Sequence, residues 1–228
     1  MRNFRKVFLL SAAIFLLIFA AKEFLGYHYY YRYRAFRKTA SSIEGSFHNL
    51  EKSLKKAAIF SNNPLVYKAL ARIHLEMALG ENEFGSPEQR DIHLDFSQDY
   101  LLKLIKRNPI DPFAYYEMGK VYILYNYPLC TYLNKATVYF ERALGLKPAD
   151  EFLNSNISIL YLTKWDMLTL EDQQFILKTI GQFWEKSESF IQQLSERWEK
   201  NREDPDRLKD ILMSDRNLWL KIRKYFVD

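Results

Sequence analysis

The chain is predicted to be all-α, with one apolar helix ahead of a helical body, and three observations predict it. Only seven Gly and seven Pro occur in 228 residues, too few breakers for a sheet with many turns. Aromatic and aliphatic residues recur at helical offsets from residue 43 to the C-terminus. Near the N-terminus, Val7 to Ala21 is a run of fifteen residues without a charge. With 48% hydrophobic and 16% aromatic residues, a chain of this length can bury a sizeable core in one large or two small domains.

The first element is read as a membrane anchor. Fifteen residues at about 1.5 Å each fall short of a hydrocarbon core of roughly 30 Å. The helix is therefore expected to continue through Phe24 and Leu25, so that residues 7–27 meet the membrane and Lys22 and Glu23 lie near its surface. Tyr27, Tyr29, Tyr30 and Tyr31 then form an aromatic belt, and Arg32 and Arg34 meet headgroups. A cleaved signal peptide is the competing reading, but Phe19 stands where its cleavage site needs a small residue. Basic residues flank the run on both sides. The leading Arg2, Arg5 and Lys6 favour a cytoplasmic N-terminus, with the bulk of the chain outside the cytoplasm.

Charge points the same way. Residues 1–45 hold eight basic and two acidic side chains, which leaves 25 basic against 26 acidic in the rest. The excess of cations belongs to the anchor and is no sign of nucleic-acid binding by the body. Aromatics interleaved with cations in "YHYYYRYRAFRK" are accordingly assigned to lipid headgroups.

The second element is a lead-in helix over 43–60, with Phe47, Leu50, Leu54, Ala57 and Ala58 on one face. Next come segments that repeat. Tyr115, Met118, Gly119 and Tyr122 sit at offsets 0, 3, 4 and 7, with Pro112 three before the first. Tyr67, Leu70, Ala71 and His74 have the same offsets, with Pro64 three before. Asn154, Ile157, Ser158 and Tyr161 form a weaker third copy. Proline suits a first helical turn, where its missing N–H would be unpaired anyway. A partner helix follows each of the first two: Ala136, Phe140, Ala143 and Pro148 in one, and Ser97, Leu101, Leu104 and Pro109 at matching spacings in the other.

On these residues the chain resembles the tetratricopeptide repeat (TPR) family, in which stacked antiparallel helix pairs form a solenoid. Residues 112–148 match best, 64–109 less closely, and 151–187 in the first helix alone. The leading aromatics are more widely spaced than the usual unit of about 34 residues, so enlarged loops are expected over 80–93 and near 126–131. The expected organisation is an anchor with its juxtamembrane segment over 1–38, a TPR-like domain over 39–187, and a C-terminal helical cap or arm over 188–228. In that last part a pattern runs through Trp184, Phe190, Leu194 and Trp198, a helix starts after Pro205, and "NLWLKIRKYF" forms another.

Little in the chain reads as catalytic. The histidines are scattered, and His74 falls on a packing position. Asp91, His93 and Asp95 do not share a helical face, and no further histidine or cysteine stands beside them for a metal. The glycines do not cluster as a phosphate loop would need. Cys130, the one cysteine, cannot form an intrachain disulfide. The "NIS" sequon at Asn156 lies in a packed helix. No cofactor, metal, nucleic acid or small-molecule substrate is inferred.

The expected function is a non-enzymatic membrane scaffold. The resemblance implies a concave surface that receives a protein or peptide partner. It assigns Lys68 and Arg72 in the first unit, and Tyr116 and Lys120 in the second, to that surface. Three cations among these four favour an acidic partner. A structural subunit of a larger membrane complex, or an all-helical enzyme subunit, stand as alternatives.

Overall fold

The structure is a computed structural model that describes residues 2–39, 44–84, 86–125, 131–185, 187, 189–200 and 204–226. Cys130 and most of the expected loop near 126–131 lie outside these residues. Among the described residues there are eleven α-helices and no strand. The chain divides into two compact units, 1–109 and 110–228.

The first unit holds α1 (Arg2–Thr39), α2 (Glu44–Phe60), α3 (Pro64–Phe84) and α4 (Pro87–Arg107). Helix α1 runs unbroken for 38 residues. Its middle meets the far end of α2: Tyr29 stacks on Phe60 with ring centroids 6.0 Å apart, and Ser61 Oγ donates to Glu23 Oε2 at 2.8 Å. Since α2 starts only a few residues after α1 ends, the two are antiparallel. The lead-in face is the buried one, with Leu50, Leu54 and Ala57 packed against Tyr33 of α1 and Val66, Leu70 and Ile73 of α3. Helix α3 starts where the side chain of Asn63 accepts from Leu65 N at 2.9 Å, beside Pro64. It packs antiparallel on α4, and the buried Ser97 hydroxyl donates to the Ala71 carbonyl at 2.9 Å across that interface.

The loop expected over 80–93 is not there. Helix α3 passes through Gly80 to Phe84, and α4 begins at Pro87. Ser86 caps α4, its side chain accepting from Glu88 N, with Pro87 at the first helical position. "SPEQ" is thus a helix start. The added length extends the two helices of this pair and does not loop out between them.

The second unit holds α5 (Pro112–Leu124), α6 (Leu133–Leu146), α7 (Glu151–Leu162), α8 (Leu170–Trp184), α9 (Ser189–Lys200), α10 (Pro205–Met213) and α11 (Arg216–Ile222). Aspartates cap α5 and α7: Asp111 accepts from Phe113 N at 3.0 Å and Asp150 from Leu153 N at 2.9 Å. One core runs from Tyr116 to Ile222 and takes in Phe140, Tyr161, Phe183, Phe190 and Trp198. The C-terminal helices therefore share their apolar interior with α5–α8.

The residues at the repeated offsets are packing residues. On α3 Tyr67, Leu70, Ala71 and His74 are all buried, and on α7 so are Asn154, Ile157, Ser158 and Tyr161. On α5 Met118 and Gly119 are buried and Tyr115 and Tyr122 half-buried, while Ala136, Phe140 and Ala143 are fully buried on α6. Asn154 stands in the aromatic's place on α7 and donates to the carbonyls of Pro148 (3.1 Å) and Asp150 (2.8 Å), which ties the helix to the preceding turn.

A partly buried hydroxyl chain links three helices of this unit. Tyr161 donates to Thr137 Oγ1 at 2.7 Å, and the Thr137 hydroxyl lies 3.0 Å from Asp172 Oδ1. Burial pushes the Tyr161 phenol well above its ordinary pKa, so it stays a donor throughout the physiological range. Tyr161→Phe is expected to lower stability by about 1 kcal/mol, measured as a reduced denaturation midpoint with an unchanged m-value.

Candidate functional site

Three surfaces and one buried cluster have the chemistry to carry function. The first surface is the N-terminal half of α1. From Phe8 to Ala35 the helix is long and apolar enough to cross a membrane, and its most apolar 18-residue window is not buried inside the protein. Phe8, Leu9, Leu10, Phe15, Leu16 and Leu17 are each more than 60% exposed. A soluble helix hides such a row against its own core.

The expected aromatic belt splits into two faces. Tyr29 and Tyr30 are half-buried against the core of the first unit, as is the fully enclosed Tyr33, whereas Tyr27 and Tyr31 point outward. Tyr27 and Tyr31 lie one turn apart with ring centroids 6.5 Å from each other. Arg32 and Arg34 are exposed. A run of tyrosines satisfies a membrane interface and a protein interface equally well. What divides them is the end of α2, which covers one face only.

The expected partner-binding residues fall in both units, Lys68 and Arg72 in the first and Tyr116 and Lys120 in the second, and each pair belongs to a surface within its own unit. On α3, Lys68 is half-buried and Arg72 exposed. Arg72 Nε lies 3.4 Å from Glu76 Oε1, one turn on. On α5, Lys120 Nζ lies 3.0 Å from Glu117 Oε2 and 5.5 Å from the centre of the Tyr116 ring. Tyr116 itself is only 5% exposed, wedged between Phe140 and Phe152 at centroid separations of 6.1 and 5.9 Å. Its ring supports Lys120 and does not offer a face of its own. Ion pairs within one helix surface are worth about 0–1 kcal/mol, so a carboxylate from outside can compete for Arg72 and Lys120.

The buried cluster lies between α2, α3 and α4. His74 is enclosed by the rings of His93, Phe96 and Tyr100, at centroid distances of 5.5, 5.0 and 5.8 Å. Its Nδ1 is 3.2 Å from His93 Nδ1, and its Nε2 is 3.3 Å from Glu51 Oε1 without the alignment of a hydrogen bond. Lys55 pairs with the same Glu51 carboxylate at 2.5 Å. His74 is buried, as its packing position predicts. No local pattern points to His93 as its partner, since 19 positions separate the two and only the pairing of α3 with α4 joins them. Among the described residues no three His, Cys, Asp or Glu side chains come together as a metal site.

Burial, opposed by the Glu51 charge, holds the His74 imidazole down at about 4 against an ordinary 6.5. The unfolded chain therefore takes up a proton that the folded chain resists. Stability is full above pH 6.5 and falls as the pH drops toward 4, by a loss on the order of 2 kcal/mol. His74→Phe is expected to flatten the dependence of the melting temperature on pH across that window.

Comparison with protein-family models and with curated proteins found no match for this chain.

Proposed function

We propose that the protein is a single-pass membrane scaffold: α1 anchors it, and TPR-like helix pairs receive a protein or peptide partner without catalysing a reaction. The observation that carries this reading is the junction in the first unit. One continuous helix has an exposed apolar half and a second half packed into a body of antiparallel helices. Burial of the repeat positions on α3, α5, α6 and α7 supports pairing of the TPR kind. The N-terminus is assigned to the cytoplasm and the helical body to the other side. Tyr27 and Tyr31 form the interfacial belt. Lys68 and Arg72 on α3 and Lys120 on α5 select an acidic segment, each within its own unit.

The test of the anchor is extraction. The protein is expected to stay in the membrane pellet after a carbonate wash with its N-terminus intact. A soluble product that starts near Lys22 would show a cleaved signal peptide and overturn the anchor.

A second reading has its own observation. Val138, Phe152 and Leu170 are 64%, 49% and 77% exposed on the second unit. Apolar side chains left open in this way also suit a permanent subunit of a larger membrane complex. That form predicts that the chain is unstable when produced alone, whereas a free scaffold is stable.

A further inference from the structure

We infer that the end of the first unit formed by the α2–α3 turn and the C-terminus of α4 is a second membrane contact, a basic face that rests on anionic lipid headgroups where α1 enters the bilayer. This rests on the anchor reading and adds a surface to it.

The geometry leaves no slack between anchor and body. Helix α1 is continuous through Lys22, Glu23 and Gly26. Ser61 donates to Glu23, and its Cα and backbone N stand 3.2 and 3.1 Å from where a Cβ on Gly26 would lie. The α2–α3 turn is therefore level with Glu23 to Gly26, within about one helical turn, or roughly 5 Å, of Lys22 along the axis. Lys6 and Lys22 bound the uncharged run and lie sixteen residues apart, which is about 24 Å of helix. A hydrocarbon core of about 30 Å exceeds that length. Lys22 must then extend toward the headgroups, and the turn beside it is drawn into the same layer.

The chemistry of that end fits such a position. Helix α4 is antiparallel to α3, so its last turn meets the start of α3: Arg107 stacks on Tyr67 at 4.4 Å and donates to Asn62 Oδ1 at 3.2 Å. Residues 55–67 contain Lys55 and Lys56 and no acid, and residues 100–109 contain Lys103, Lys106 and Arg107 and no acid, although Lys55 is already paired with Glu51. Residues 46–228 taken together hold 25 basic and 26 acidic side chains, so this is a local concentration of cations. Between them two aliphatic side chains point outward, Ile59 at 68% and Leu65 at 50% exposure. Apolar tips ringed by lysines match the boundary between headgroups and acyl chains. Each cation close to an anionic surface adds to the attraction.

The full-length chain carrying Cys130→Ser is labelled with a fluorophore at one introduced cysteine: Phe15→Cys, Ile59→Cys, Leu65→Cys or Ile92→Cys. Each form is reconstituted in phosphatidylcholine vesicles with and without phosphatidylglycerol, with quenchers on headgroups or acyl chains. The acyl-chain quencher is expected to act on the label at 15. The headgroup quencher is expected to act several-fold more strongly on labels at 59 and 65 than at 92, and more so with phosphatidylglycerol present. Lys56→Glu with Lys106→Glu should remove the dependence on phosphatidylglycerol while the label at 15 stays quenched. If 15 is quenched but 59 and 65 behave like 92, the face stands clear of the lipid and the inference fails while the anchor survives. If 15 is not quenched, the anchor reading fails and this inference with it.

Discussion

Leucine in place of Gly119 is expected to destabilise the second unit by about 3 kcal/mol, at the upper end of the usual overpacking range. A Cβ at this position would overlap the Phe140 ring, whose Cδ1 and Cζ would be 2.6 and 2.7 Å away. That ring has nowhere to go. It is fully buried, and the rings of Tyr116 and Tyr161 hold it at centroid distances of 6.1 and 5.8 Å. Even alanine should fail to stabilise, although glycine in mid-helix ordinarily costs about 1 kcal/mol against it. The check is a double-mutant cycle by chemical denaturation. Gly119→Leu combined with Phe140→Ala should cost less than the two single losses added together, because the second change opens the space the first requires. Additive losses would mean that Gly119 and Phe140 do not touch.

Leucine in place of Gly26 is expected to have a comparable effect on the first unit, again about 3 kcal/mol. Here the obstruction is Ser61, by its Cβ and its backbone. A backbone neighbour cannot rotate aside as a side-chain tip can. The substitution should also break the Ser61–Glu23 hydrogen bond and part Tyr29 from Phe60. Membrane retention should be unaffected, since the apolar half of α1 is unaltered. A protease added to reconstituted vesicles should then cut between anchor and body much faster than in the unsubstituted protein. Unchanged cleavage would place the docking of α1 elsewhere.

Much of the helical layout was legible because it depends on local spacing. The face of α2 from Phe47 to Ala57 follows from apolar period alone, and Pro64 and Pro112 mark helix starts that the structure keeps, with Asn63 and Asp111 supplying the caps. The extension of α3 and α4 was hidden by the Gly-Ser-Pro cluster, which reads as a loop until Ser86 is recognised as a cap. The surface was harder to read. The repeat offsets rank Tyr115 as the packing residue and Tyr116 as the open one, yet Tyr115 is only half-buried and Tyr116 is buried. Phe152, 36 positions later, covers it. The tyrosines of α1 divide according to where α2 ends, which is again a long-range fact. His93 joins His74 only through the pairing of two helices.

The scaffold reading is tested most directly by partner retention after charge reversal. The protein is solubilised from its native membrane in mild detergent and purified. Bound protein is quantified for the unsubstituted chain, for Arg72→Glu, for Lys120→Glu and for the double variant. Arg72 makes a surface pair with Glu76, and the half-buried Lys120 pairs with Glu117 and lies over Tyr116 in its own helix, so circular dichroism should be unchanged, with a small drop in melting temperature for Lys120→Glu. The account predicts a specific co-purifying protein or peptide, rich in acidic residues at its contact, that is weakened by each reversal and lost from the double variant at constant salt. Full retention by a well-folded double variant would contradict it.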